Sequence, residues 1–136
     1  MIHVVCGLIG AGKTTFCEGQ SGIVIDFRDD ENSEALNKDD QIRRTLEAHS
    51  DGSDVWHVTC YPTAAELRAF KEVETEYIWI NTTAAQALKN IKKRGRKRDI
   101  LNYSETLRRQ DEILASYLSS EIRFRVIDIF ETDERW

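Results

Sequence analysis

The stretch GLIGAGKTT, residues 7–15, crowds three glycines into six positions and follows them with one lysine and two threonines. Gly7, Gly12, Lys13 and Thr14 satisfy the spacing G-x-x-x-x-G-K-[ST], and Gly10 adds another residue without a Cβ. Such a loop can bind anions, because its glycines let successive backbone N–H groups turn inward and wrap phosphate oxygens. The lysine brings a mobile charge to the β- and γ-phosphates, and the threonine hydroxyl can ligate Mg²⁺. Gly7, Gly10, Ala11, Gly12, Lys13, Thr14 and Thr15 are therefore the expected contacts to ATP, with Thr14 the expected Mg²⁺ ligand. The motif means this only between a strand and a helix. The apolar run MIHVVC before it and the helical pattern from Lys13 to about Gly19 supply that setting.

A phosphate cradle alone does not choose between kinase, switch and motor. Motors and switches usually end an apolar strand in an acid that holds Mg²⁺ through water. Here the third apolar run ends in Thr59 and Cys60 and the fourth in Asn81, and no N-K-x-D motif selects guanine. The acids gather instead in IDFRDDE after the second run. At the C-terminal edge of a parallel sheet such carboxylates line the ligand crevice, so Asp26 and Asp29 are the candidate general bases. Asp30 and Glu31 read as a solvated turn. The second cluster is KKRGRKR, residues 92–98, with six cations in seven positions. A helix C-terminus needs fewer, which points to a basic lid over 92–101 whose Arg94 and Arg98 neutralise charge on the moving phosphoryl group; Arg96 is an alternative. The pairs Arg43–Arg44 and Arg108–Arg109 read as solvated helix faces.

The elements that must position these groups alternate in type, as in an α/β domain. GIVIDF (22–27), VWHVTCY (from Val55), YIWINT (77–82) and RFRVIDIF (123–130) read as strands after MIHVVC. Residues 33–49 carry Leu36, Ile42 and Leu46 at helical spacing, with the polar cluster Asn37–Asp40 able to divide them. Three capping signals open further helices: Thr63-x-x-Glu66, Thr83-x-x-Gln86 and Asn102-x-x-Glu105. The first helix is expected to turn Leu67 and Phe70 inward, and the second Ala84, Ala87, Leu88 and Ile91. The third is expected to bury Tyr103, Leu107, Leu114, Tyr117 and Leu118. Trp56 and Trp79 fall within strands and read as core. One five-stranded parallel sheet flanked by helices, a three-layer α/β/α arrangement, accounts for the pattern.

A chain of 136 residues fits a single domain, 1–136. A net charge of −5 argues against coating nucleic acid while leaving room for a local basic groove. Cys6, Cys17 and Cys60 are odd in number and lack C-x-x-C spacing, which suggests reduced thiols in the cytoplasm. His3, His49 and His57 are scattered and read as packing or surface residues. No apolar run reaches membrane-span length.

With these pieces in order the chain resembles the small P-loop kinases related to polynucleotide 5′-hydroxyl kinases and zeta-toxin kinases. The resemblance runs through HVVCGLIGAGKTTF, VIDFRDD, WHVTCYPTAAELR and YIWINTTAAQALKNIKKRGR. It implies the nucleoside-monophosphate-kinase type of fold, strand order 2-3-1-4-5, and an ATP- and Mg²⁺-dependent transfer to a hydroxyl, such as a nucleic acid 5′ end. It also implies that Arg28-Asp29-Asp30 places the base at Asp29, while an ungapped reading places it at Asp26. Asn32 stands where the family has an arginine. Two other readings stay open: a kinase for a nucleoside, nucleotide or other small molecule, and a partner-regulated ATPase. For the latter, GAGKTTF resembles the ATPase component of bacterial tRNA threonylcarbamoyl-adenosine synthesis, although that family's S-P-T-F-type and E-W-P motifs are missing.

Overall fold

The first apolar run becomes the middle of the sheet because neighbours cover it on both edges and both faces. In the computed structural model, which describes residues 1–26, 37–95 and 103–130, strand β1 (Ile2–Cys6) pairs with β3 (Val55–Val58) on one side and β4 (Thr75–Ile80) on the other. Strand β2 (Ile23–Ile25) extends the sheet beyond β3, and β5 (Phe124–Ile127) extends it beyond β4. All four pairings are parallel, giving the order β2-β3-β1-β4-β5. The expected strand order is the observed one.

Burial follows this placement. Ile2, Val4, Val5 and Cys6 of β1 and Ile78, Trp79 and Ile80 of β4 are fully enclosed, and Val126 on edge strand β5 is exposed. Strands covered on both faces read as near-continuous apolar runs, which is why these segments were recognisable. Trp79 stacks on Tyr117 with ring centroids 3.9 Å apart, joining the sheet to the last helix. Trp56 is buried as expected.

The helices are α1 (Lys13–Glu18), α2 (Lys38–Ser50), α3 (Ala64–Phe70), α4 (Ala84–Arg94) and α5 (Tyr103–Leu118). Helix α2 begins within the polar cluster that was expected to divide the segment, because the Asn37 side chain accepts a hydrogen bond from the Asp40 N–H. Both halves of the Thr63–Glu66 capping box form. Thr83 caps α4 through the Gln86 N–H, and Gly95 closes that helix in the left-handed conformation. Asn102 lies outside the described residues.

Three inward faces differ from expectation; in α4, Ala87 and Ile91 are buried as expected but Ala84 is exposed. In α3 the buried pair is Glu66 and Phe70, and Leu67 is exposed. Glu66 turns in because its carboxylate has partners on two other elements, set out below. In α5 the buried residues are Thr106, Gln110 and Ile113, whereas Leu107 and Leu118 face outward, Leu118 at 68% exposure. Leu114 and Tyr117 pack against the core as expected, but a buried glutamine with backbone partners shifts the centre of the face away from Leu107 and Leu118. Strands β3 and β5 are also shorter than their apolar runs, which continue beyond the strand at their C-terminal ends, and β4 is shifted, beginning at Thr75 and ending at Ile80.

Candidate active site

Chain direction decides where a ligand can sit. From β1 the chain crosses past β3 to β2, and from β3 it crosses back past β1 to β4, so helices diverge between β1 and β3. The crevice opens there, at the C-terminal ends of those two strands. Into it run the glycine loop from β1 and residues Thr59, Cys60 and Tyr61 from β3. A cavity of about 860 Å³ occupies the place, within the range of roughly 300–1,000 Å³ usual for small-molecule sites.

The loop needs its glycines where it turns. Gly10 has φ +82° and Gly12 φ +96°, both in the region costly for residues with a Cβ. A Cβ on Gly10 would also stand 2.6 Å from the Ala87 carbonyl oxygen of α4. The loop is thus packed against the helix as well as sharply turned. Lys13, the first residue of α1, lies back across the loop. Its Nζ donates to the carbonyls of Gly7 at 2.8 Å and Leu8 at 2.9 Å, and contacts Cys60 Sγ at 3.6 Å. The ammonium therefore sits between the β1 and β3 ends. Gly10, Ala11, Gly12, Lys13, Thr14 and Thr15 all border the cavity; Gly7 supports the loop from behind, where a Cβ would press on Ala11 and Ile80.

Thr14 Oγ1 donates to Asp26 Oδ2 at 2.6 Å. Asp26 stands one residue beyond β2 and borders the cavity. The acid missing from the ends of the third and fourth strands is supplied by the second. A hydroxyl and a carboxylate so close, at the mouth of a phosphate loop, are the hard oxygen donors that Mg²⁺ prefers. The residues present fit that ion.

The far walls come from the last two helices. Lys93 and Arg94 of α4 border the cavity, as do Arg109, Glu112 and Ser116 of α5. Of the expected lid arginines, Arg94 is therefore at the site, while Arg96 and Arg98 fall outside the described residues; so does Asp29, along with Asp30 and Glu31. Arg108 and Arg109 part company. Arg108 is solvated and ion-paired with Glu105 and Glu112, and Arg109 faces the cavity, contrary to the expectation for the pair.

Behind the β3 end lies a buried ionic chain that the sequence did not suggest. Glu66 and His57 side chains are both fully buried. The Thr45 hydroxyl donates to His57 Nδ1 at 2.7 Å, which leaves the His57 Nε2–H to donate to the Glu66 carboxylate. Lys38 Nζ reaches Glu66 at 3.1 Å, Gln41 Oε1 at 2.7 Å and Thr59 Oγ1 at 3.2 Å. Burial works to raise the Glu66 pKa, but the His57 hydrogen bond, the Lys38 charge and the Thr63 N–H outweigh it and hold it at about 2. Burial also lowers the His57 pKa, against the pull of Glu66. Lys38 donates to all three of these partners, Glu66, Gln41 and Thr59, while one side of it borders the cavity. The only sequence signal was Glu66 of the capping box, which names a carboxylate but not its burial.

A parallel sheet of order 2-3-1-4-5 carrying a phosphate loop after its central strand is the P-loop nucleoside-kinase α/β fold. Solved structures of deoxyadenosine kinase from M. mycoides share it. The structure with bound dATP matches with a TM-score of 0.51 at 17% identity, over 94% of this chain and 91% of that one. The structure with products dCMP and a flexible dCDP gives 0.54 at 17%, over 94% and 90%, and that with dCTP gives 0.50 at 19%, over 94% and 90%. The likeness is one of fold. No protein-family model and no curated protein sequence matches the chain. No helix among the described residues is long and apolar enough to cross a membrane.

Proposed function

We propose that the protein is an ATP-dependent kinase that transfers the γ-phosphoryl group to a hydroxyl of a nucleoside or nucleotide. The observation that carries this reading is the placement of the full phosphate-loop motif, with Lys13 and the Thr14–Asp26 pair, in the crevice between β1 and β3. The fold likeness to kinases holding dATP, dCTP or dCMP supports a small nucleoside-type acceptor over the polynucleotide end that the sequence resemblance implied.

In this reading the amides from Gly10 to Thr15 and the Lys13 ammonium bind the triphosphate. Thr14 and Asp26 would hold Mg²⁺, which neutralises phosphate charge when bound. Asp26 or Asp29 accepts the proton of the attacking hydroxyl. Arg94, joined by Arg98 from the basic segment 92–101, stabilises the charge that develops in transfer.

The test is incubation with γ-labelled ATP and a panel of deoxynucleosides, nucleoside monophosphates and 5′-hydroxyl oligonucleotides. Label is expected on a nucleoside or monophosphate. Label on oligonucleotides alone would restore the polynucleotide reading, and release of free phosphate alone would favour a partner-regulated ATPase. Asp26→Asn and Asp29→Asn, assayed in parallel for transfer and for the Mg²⁺ dependence of ATP binding, identify the base as the one whose loss abolishes transfer while Mg²⁺-dependent ATP binding is unchanged.

A further inference from the structure

Three consecutive residues of the phosphate loop are gripped by side chains from three other places in the chain. The Thr82 hydroxyl, after β4, donates to the Ala11 carbonyl at 2.7 Å. Asn90 of α4 donates to the Gly10 carbonyl at 2.8 Å. Gln110 of α5 takes both polar groups of Ile9: its Oε1 accepts from the Ile9 N–H at 2.8 Å, and its Nε2 donates to the Ile9 carbonyl at 2.7 Å. The two residues lie 101 positions apart, and both are buried.

A loop whose amides turn toward a ligand cannot satisfy its backbone through a ladder or a helix. Buried backbone groups left without partners are costly, so something must replace the lost secondary structure. Among side chains, a primary amide offers one donor and one acceptor side by side, matching the N–H and C=O of a single residue. Its orientation is fixed by that match, since a flipped amide would set oxygen against oxygen and N–H against N–H. Gln110 thus fixes both backbone polar groups of Ile9 at the cavity wall, and the loop enters its positive-φ positions, Gly10 and Gly12, from a fixed starting point. The same helix presents Arg109, Glu112 and Ser116 to the cavity. One side chain therefore joins the phosphate-binding loop to the opposite wall of the site.

We propose that Gln110 is a positioning residue for nucleotide binding, setting the phosphate-facing geometry of the loop through Ile9. This rests on the nucleotide-binding reading above. Substitution by glutamate gives a test with a pH signature. An ionised carboxylate can accept from the Ile9 N–H but faces the Ile9 carbonyl with a second oxygen; a protonated one donates and accepts as the amide does.

The measurement is the dissociation constant of Mg·ATP for wild type, Q110E and Q110L between pH 5.5 and 8, with melting temperature recorded at each pH. Taking each variant's ratio to wild type cancels the nucleotide's own titration. Q110E is expected to bind roughly tenfold or more weakly at pH 8 and to recover toward wild type on acidification, while the Q110L ratio stays high and flat. Equal affinity of folded Q110E, Q110L and wild type, with only the melting temperature lowered, would overturn the proposal and leave Gln110 a packing residue. If Q110E does not fold at pH 8, Q110N, which keeps the amide but is one methylene short, replaces it, and unchanged affinity there overturns the proposal equally. A wild-type protein that fails to bind Mg·ATP would instead defeat the nucleotide reading itself.

Discussion

Two regions meet at the cavity and are built on opposite principles. At the β1 end the chain works with its backbone: glycines allow the loop's sharp turns, and one lysine lies across carbonyls of its own loop. At the β3 end it relies on side chains: Lys38, Glu66, His57 and Thr45 form a chain of buried charge and hydrogen bonds. In the proposed function the Lys13 ammonium, now held by two carbonyls of its own loop, can turn its N–H donors to a phosphate instead. The second region cannot exchange anything without stranding a carboxylate in the core, where an unpartnered charge is far more costly than the pair.

Breaking the fixed side carries the largest effect. Glu66→Ala should lower unfolding stability by about 3–5 kcal/mol, read from urea denaturation, because it leaves Lys38 and His57 without their shared partner. Unchanged stability would mean the chain of contacts is not formed in solution. Breaking the adaptable side should spare the fold and remove function. Lys13→Ala is expected to keep a near-native denaturation midpoint and lose about 10²–10³-fold in phosphoryl transfer. A Lys13→Ala protein that stays folded with a clearly lowered midpoint yet retains wild-type transfer would reverse the contrast between the regions.

Acid sharpens the same contrast. His57 and Glu66 both have lowered pKa values in the folded protein, so the unfolded chain binds more protons than the native one as pH falls. Stability should therefore decline as pH drops below the unfolded histidine value of 6.5, and decline further from 4.5 toward about 2 as Glu66 protonates. Glu66→Gln should flatten the lower window, which is checked by denaturation midpoints at successive pH values. The smallest effect belongs to Leu67. Being exposed, Leu67→Ser should change stability by no more than about 0.5 kcal/mol, whereas a loss of several times that would return Leu67 to the core.

The two regions also differ in how far the sequence disclosed them. The glycine loop was legible because its shape resides in spacing: the positive-φ turns at Gly10 and Gly12 and the fold-back of Lys13 are local geometry that nine residues encode. The sheet was legible because β1 and β4 are covered on both faces and so are apolar throughout. Gln110, Asn90 and Thr82 were not, because their partners are backbone atoms 101, 80 and 71 residues away, and backbone atoms leave no mark on composition. Glu66 was read as a helix cap, which it is, and its neighbour Leu67 took the inward place by hydropathy alone. Hydropathy cannot foresee a buried carboxylate whose histidine lies on another strand. Asp26 was legible as a strand-end acid, but its bond to Thr14 depends on β2 lying two strands from β1, a fact of topology.

The central claim is that the loop amides bind the triphosphate, and backbone amide resonances report on it directly. Titration with Mg·ATP should shift the signals of Gly10 to Thr14 together, while Gly52, at the opposite end of the sheet in the turn before β3, stays in place. If the loop signals do not move under saturating Mg·ATP, the site described here is not a nucleotide site.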